Sequence, residues 1–139
     1  MRIMGIDYGD SRVGIALSDP LGYTAQGLKT LPNKVYLKML EAVVNIAKEY
    51  GVTVIVIGLP KNMDGSEGFR ADITKSFAKD LEKQLPNAQF VFHDERLTTV
   101  QASTFLNATN TRGKSRKNVI DTVAAEIILQ SYLDSNKNQ

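Results

Sequence analysis

The sequence predicts an α/β protein: a mixed five-stranded sheet with helices on both faces. Three observations carry that expectation. Ile3–Asp19, IMGIDYGDSRVGIALSD, reads as two strands joined by a tight glycine turn. Val52–Ile57, VTVIVI, is nearly all apolar and β-branched, the pattern of a strand covered on both faces. The segments between the later strands repeat apolar residues at helical spacing.

Taken in order, Ile3, Met4 and Ile6 form the first strand, and Val13, Ile15, Ala16 and Leu17 the second. Pro20-Leu21-Gly22 turns the chain into a third strand over Tyr23–Leu31, which Pro32-Asn33 breaks. Leu37, Leu40, Val44 and Ala47 recur at helical spacing within Tyr36–Tyr50, and Gly51 is a natural stop. After Val52–Ile57, Gly58–Gly68 is rich in Gly, Pro, Asn and Asp and reads as a loop leaving the carboxyl end of a buried strand.

Ile73, Phe77, Leu81 and Leu85 form an i,i+4 stripe and predict a helix over Arg70–Leu85, closed by Pro86-Asn87. Gln89–His93 makes a short strand through Phe90, Val91 and Phe92. Thr98 with Gln101 fits a capping box, so a helix is expected from there to about Asn107. The polar, basic run Asn110–Lys117 reads as a mobile connector, and a last helix runs from about Ser115 to Asp134, followed by a frayed tail. Short turns make the first three strands antiparallel; helical returns make the later strands parallel to each other and to the first.

A chain of 139 residues with 42% hydrophobic and 23% charged residues fits one folded domain with a sizeable core. The absence of cysteine excludes a disulfide framework and any thiolate zinc site, and one histidine, His93, excludes a His-rich metal site. A metal, if used, is held by oxygen, which points to Mg²⁺ or Mn²⁺. No signal-like start and no apolar run of about 20 residues are present, so a soluble cytoplasmic protein away from membranes is expected.

Three acids stand out. Asp7 ends the first strand and Glu95, beside Asp94, ends the last, so parallel central strands would bring both to one sheet edge. Asp121 shares a helix face with Ala124, Ala125, Ile128 and Tyr132. A carboxylate on an apolar face is costly unless paired or metal-bound, and the small alanines would let the helix lie close to the sheet. Clustered carboxylates raise each other's pKa. Two divalent cations about 3.5–4 Å apart would relieve this, activate water and balance charge at a scissile phosphate. Singly, each acid has a plainer reading: Asp7 as a turn residue, Glu95 as a surface partner of Arg96 or Arg12, Asp121 as an i−4 partner of Lys117. His93 reads as a strand-end side chain with no role.

Arg112, Lys114, Arg116 and Lys117 put four positive charges in six residues just before the Asp121 turn, and Lys61 and Arg70 flank the glycine-rich loop. With Arg12 and Arg96 these are the candidate nucleic-acid contacts. The net charge is only +2, so binding would come from clustering. No aromatic is interleaved with these charges, so base stacking is not indicated and recognition of backbone and shape is expected.

Four blocks of the chain, GIDYGDSRVGIALSD, GLPKNMDGSEGFRA, DERLTT and KNVID followed by AA and ILQSYLD, resemble the YqgF/RuvX family, described both as Holliday junction resolvases and as nucleases of pre-16S ribosomal RNA. The resemblance covers nearly the whole chain. It implies a single ribonuclease H-like nuclease domain over residues 1–139, metal-dependent phosphodiester hydrolysis, and an acidic triad that falls on Asp7, Glu95 and Asp121. Family members often carry Lys where this chain has Ser11 and Pro where it has Phe69. The resemblance favours processing of the 5′ end of pre-16S rRNA, with resolution of four-way DNA as the alternative. The expected partner is structured RNA or branched DNA, and the protein is a monomer or a homodimer, the latter if it cuts junctions symmetrically. Two other classes share features: a sugar-kinase or actin-like ATPase, which needs two such lobes, and a nucleic-acid-binding factor without catalysis.

Overall fold

The structure, a computed structural model, describes the backbone of residues 2–95 and 113–137, and the side chains of these residues except 113–121, 136 and 137. In chain order the described elements are β1 (Arg2–Tyr8), β2 (Arg12–Ser18), β3 (Ala25–Pro32), α1 (Tyr36–Glu49), β4 (Val52–Leu59), α2 (Phe69–Gln84), β5 (Gln89–Asp94) and α3 (Gly113–Lys137). The five strands form one sheet in the order β3-β2-β1-β4-β5. β1 pairs antiparallel with β2, and β2 with β3; β4 pairs parallel with β1, and β5 with β4. This is the ribonuclease H-like arrangement, and β1 is central in it.

Alternation along each strand sorts side chains between two cores. On one face Met4, Ile6, Val13, Ile15, Ile55 and Ile57 pack under α1 and α2. On the other, Ile3, Ala16, Val54 and Val56 meet Ala125, Ile128, Leu129 and Leu133 of α3. Gly5 is the point of closest approach on that face: a Cβ there would lie 2.7 Å from Leu129 Cβ and 2.8 Å from the Ala125 carbonyl oxygen. Any side chain would push α3 off the sheet.

Several expectations shift. Leu37 is 72% exposed; the buried stripe of α1 is Met39, Leu40, Val43, Val44, Ile46 and Ala47. β4 runs two residues further than its apolar run suggests, because Gly58 and Leu59 still pair with His93 and Asp94 of β5. α3 begins at Gly113 and ends at Lys137, so Lys114, Arg116 and Lys117 sit on helical backbone instead of a connector. The helix expected over Thr98–Asn107 lies outside the described residues.

α3 also docks by polar contacts. Thr122 Oγ1 lies 2.9 Å from Thr30 Oγ1, Glu126 accepts the Gly27 backbone N–H, and Gln130 Oε1 accepts the Ala25 N–H at 2.9 Å. These helix residues recur every four positions, one face of the helix. Glu126 and Gln130 satisfy backbone donors on the outer edge of β3, which would otherwise invite another strand. Residue numbers fall along α3 as they rise along β3, so the helix runs antiparallel to β3 and therefore to β1.

Candidate active site

The carboxyl ends of β1, β4 and β5 lie together because all three strands are parallel. Ile6, Ile57 and Phe92 form one row across them, and Asp7, Gly58 and His93 follow in the next. Asp7 has the same parity as Ile3 and Gly5, which places it on the α3 face of the sheet. Glu95 leaves the end of β5 and hydrogen-bonds to Asp7. It does so over Gly58, where a Cβ would stand 2.6 Å from Glu95 Oε1 and 2.6 Å from Ile128 Cδ1. The glycine in an otherwise β-branched run is thus the bed in which Glu95 lies, and a glycine inside such a run is the signal that could have found it.

Burial raises the Glu95 pKa above the ordinary carboxylate value, and the charge of Asp94 adds to this; the hydrogen bond from Asp7 and the charge of Arg70 act in the opposite sense. Two carboxyls in hydrogen-bond contact need a shared proton or a cation between them. The donor set is oxygen alone, which fits a hard divalent ion. Among the described residues no group of three acidic or histidine side chains converges. Asp121 lies on the backbone of α3 one residue before Thr122, and its side chain is outside the described residues. Row by row, Asp7 pairs with Gly14 and Gly14 with Thr30, the residue that meets Thr122.

The turn after Asp7 is held from behind. Gly9 N–H donates to the Arg12 carbonyl at 2.9 Å, and Asn33 Nδ2 donates to the Gly9 carbonyl at 2.9 Å. In the sequence Asn33 reads as a strand breaker and helix start, not as a brace for this turn. On the opposite sheet face Tyr8 stacks on Phe77 at 4.4 Å between ring centroids.

Of the basic candidates, Arg12 opens β2 and its backbone closes the turn. Arg70, in the first turn of α2, reaches Asp10 of the β1–β2 turn at 3.1 Å, both side chains being exposed. Lys61 lies on the loop before α2. That loop folds on itself: Asn62 N–H donates to the Ser66 carbonyl at 2.8 Å and Asp64 Oδ1 accepts the Ser66 N–H at 2.9 Å. Arg96, Arg112 and the side chains of Lys114, Arg116 and Lys117 lie outside the described residues.

One expectation is overturned. An aromatic does sit among the cations: Phe69, between Lys61 and Arg70, is 77% exposed. It stands at the start of α2, one turn before Ile73, and its ring is open to solvent. His93 Nε2 is buried with no hydrogen-bond partner among the described residues, and burial lowers its pKa.

The profile of the family described as RuvX, Holliday junction resolvase, matches residues 1–135. A protein of Clostridium perfringens named "Putative pre-16S rRNA nuclease" is 48% identical over 135 residues, covering 96% of this chain and 97% of its own. One of Halothermothrix orenii with the same name is 49% identical over 134 residues, covering 96% and 95%. Among solved structures, T. thermophilus RuvC in complex with Holliday junction substrate superposes with a TM-score of 0.63 at 9% identity, covering 100% of this chain and 97% of that one, a likeness of fold. Relatives at this identity over nearly the full length, together with the family profile, show that the chain belongs to the RuvX family of nucleases, hydrolases of phosphodiester bonds.

Proposed function

We propose that this chain is a divalent-metal-dependent nuclease that processes the 5′ end of pre-16S rRNA, with Asp7, Glu95 and Asp121 as its acids. The observation that carries the reading is the Asp7–Glu95 contact over Gly58, two carboxyls brought from different strands to one sheet edge. The row Asp7–Gly14–Thr30, with Thr122 against Thr30, supports Asp121 as the third acid, since the preceding helical residue enters at the same level of the sheet. The relatives' names support the RNA substrate.

When bound, Mg²⁺ or Mn²⁺ supplies the charge that activates water and balances the leaving oxygen. The chain's own part is to present carboxylate oxygens from rigid strand ends, so that little reorganisation is left for the moment of reaction. Arg70 and Lys61 draw the phosphate backbone to that edge. Asp7 and Glu95 would be the residues that hold such a cation, whose charge would favour the ionised form of Glu95 that burial over Gly58 disfavours.

The family description favours one second reading, cleavage of four-way DNA. Both are tested by offering the purified protein a pre-16S rRNA fragment and a four-way DNA junction side by side, with and without Mg²⁺ and Mn²⁺. Metal-dependent cleavage of the RNA that is absent in Asp7→Asn is the expected result. Cleavage of the junction alone transfers the assignment to the resolvase reading, and no cleavage of either overturns the nuclease.

A further inference from the structure

Phe69 is 77% exposed although it has the spacing of a core residue. With Lys61, Asn62 and Arg70 it lines a cavity of about 230 Å³. Arg70, the next residue, bonds to Asp10 at 3.1 Å, and its charge reaches Glu95. The bare ring therefore stands one residue from a guanidinium that lies within electrostatic range of the acid pair. Exposed phenyl surface contributes nothing to the fold that a polar residue at the start of a helix would not supply better.

From this arrangement we propose that Phe69 is a stacking platform for an unpaired base, with Lys61 and Arg70 holding the phosphates on either side of it. The occupant follows from charge: a flat apolar face between two cations fits a π-face carried on a polyanion, whereas an apolar protein side chain would gain nothing from the cations. The inference rests on the nuclease reading and narrows its substrate. In a continuous duplex the base faces are covered by their neighbours, so the preferred strand is unstacked beside the cut.

The test uses the full chain and a short single-stranded RNA carrying one 2-aminopurine, without divalent metal, against the same RNA in a duplex. Wild-type protein should quench the probe in the single strand. Phe69→Ala should lose the quench and about ten-fold in affinity for the single strand, within the range of base–aromatic stacking, while binding the duplex unchanged. Phe69→Trp should restore both, which a merely structural role would not predict. Equal affinity of wild type and Phe69→Ala for the single strand, an equal loss on both RNAs, or no binding of the single strand by wild type overturns the platform. Cleavage in Mg²⁺ is read separately: if Asp7→Asn loses it while Phe69→Ala binds as wild type, the platform falls and the nuclease stands.

Discussion

Asp7 and Glu95, distant in the chain, share a hydrogen bond over the bare backbone of Gly58. Without a cation this contact needs one protonated carboxyl. The neutral isostere Asp7→Asn should therefore leave the metal-free melting temperature unchanged or slightly higher, because it removes a like-charge contact. The same variant should lose the stabilisation that Mg²⁺ gives wild type, together with all cleavage. Thermal melts with and without Mg²⁺ read the first effect and a gel assay the second.

Gly58→Ala tests the bed beneath Glu95. The new methyl would meet Glu95 Oε1 and Ile128 Cδ1, each 2.6 Å away. Both are ends of flexible side chains, so the fold should survive at a cost of about 1–3 kcal/mol. Glu95 should be displaced from Asp7, and Mg²⁺ affinity should fall. Isothermal titration with Mg²⁺ alongside a denaturant melt separates the two effects; unchanged affinity would show that Glu95 does not depend on this glycine.

Glu126 gives the fold a pH dependence. Burial raises its pKa from 4.5, and the Gly27 N–H only partly offsets this. A carboxyl with a raised folded-state pKa stabilises fully below its unfolded value, and the stability is lost as pH rises through the folded value. Glu126→Gln keeps an acceptor for Gly27 without ionising. It should be more stable than wild type at pH 7 and converge with it as pH falls toward 4.5. Melting both proteins across that window checks the sign.

Gln130→Leu should cost about 1–3 kcal/mol, because the part-buried Ala25 N–H loses its acceptor. It also uncovers the β3 edge, so the variant should self-associate more readily. Urea melts and sedimentation at several protein concentrations test both.

The Arg70–Asp10 bridge is exposed on both sides and should contribute no more than about 1 kcal/mol. Arg70→Gln should therefore leave the melting temperature nearly unchanged. Nucleic-acid affinity should fall, and the slope of log affinity against log salt should drop by about one. A titration over several salt concentrations reads it.

Periodicity and turn chemistry are local properties, and they were enough for the mixed sheet, its strand directions and nearly every described element. The hairpin over β1 and β2, the buried β4 and the α3 face of Ala125 and Ile128 all follow from residues close in sequence. Asp7 and Glu95 were legible as acids at strand ends because strand ends are local too. Their contact was not, since it depends on β4 lying between their strands and on Gly58 having no side chain to keep them apart. The same holds for Phe69, which continues the Ile73–Phe77 stripe by one turn and yet is 77% exposed. Gln130, Glu126 and Thr122 read as an ordinary polar helix face until β3 lies against it with outward N–H groups to satisfy. The sequence by itself determined which elements form and which residues could carry chemistry, because propensity and spacing act over a few residues. Only the tertiary structure decided which of them meet, because contact between distant segments depends on sheet order, on register and on how closely backbones approach.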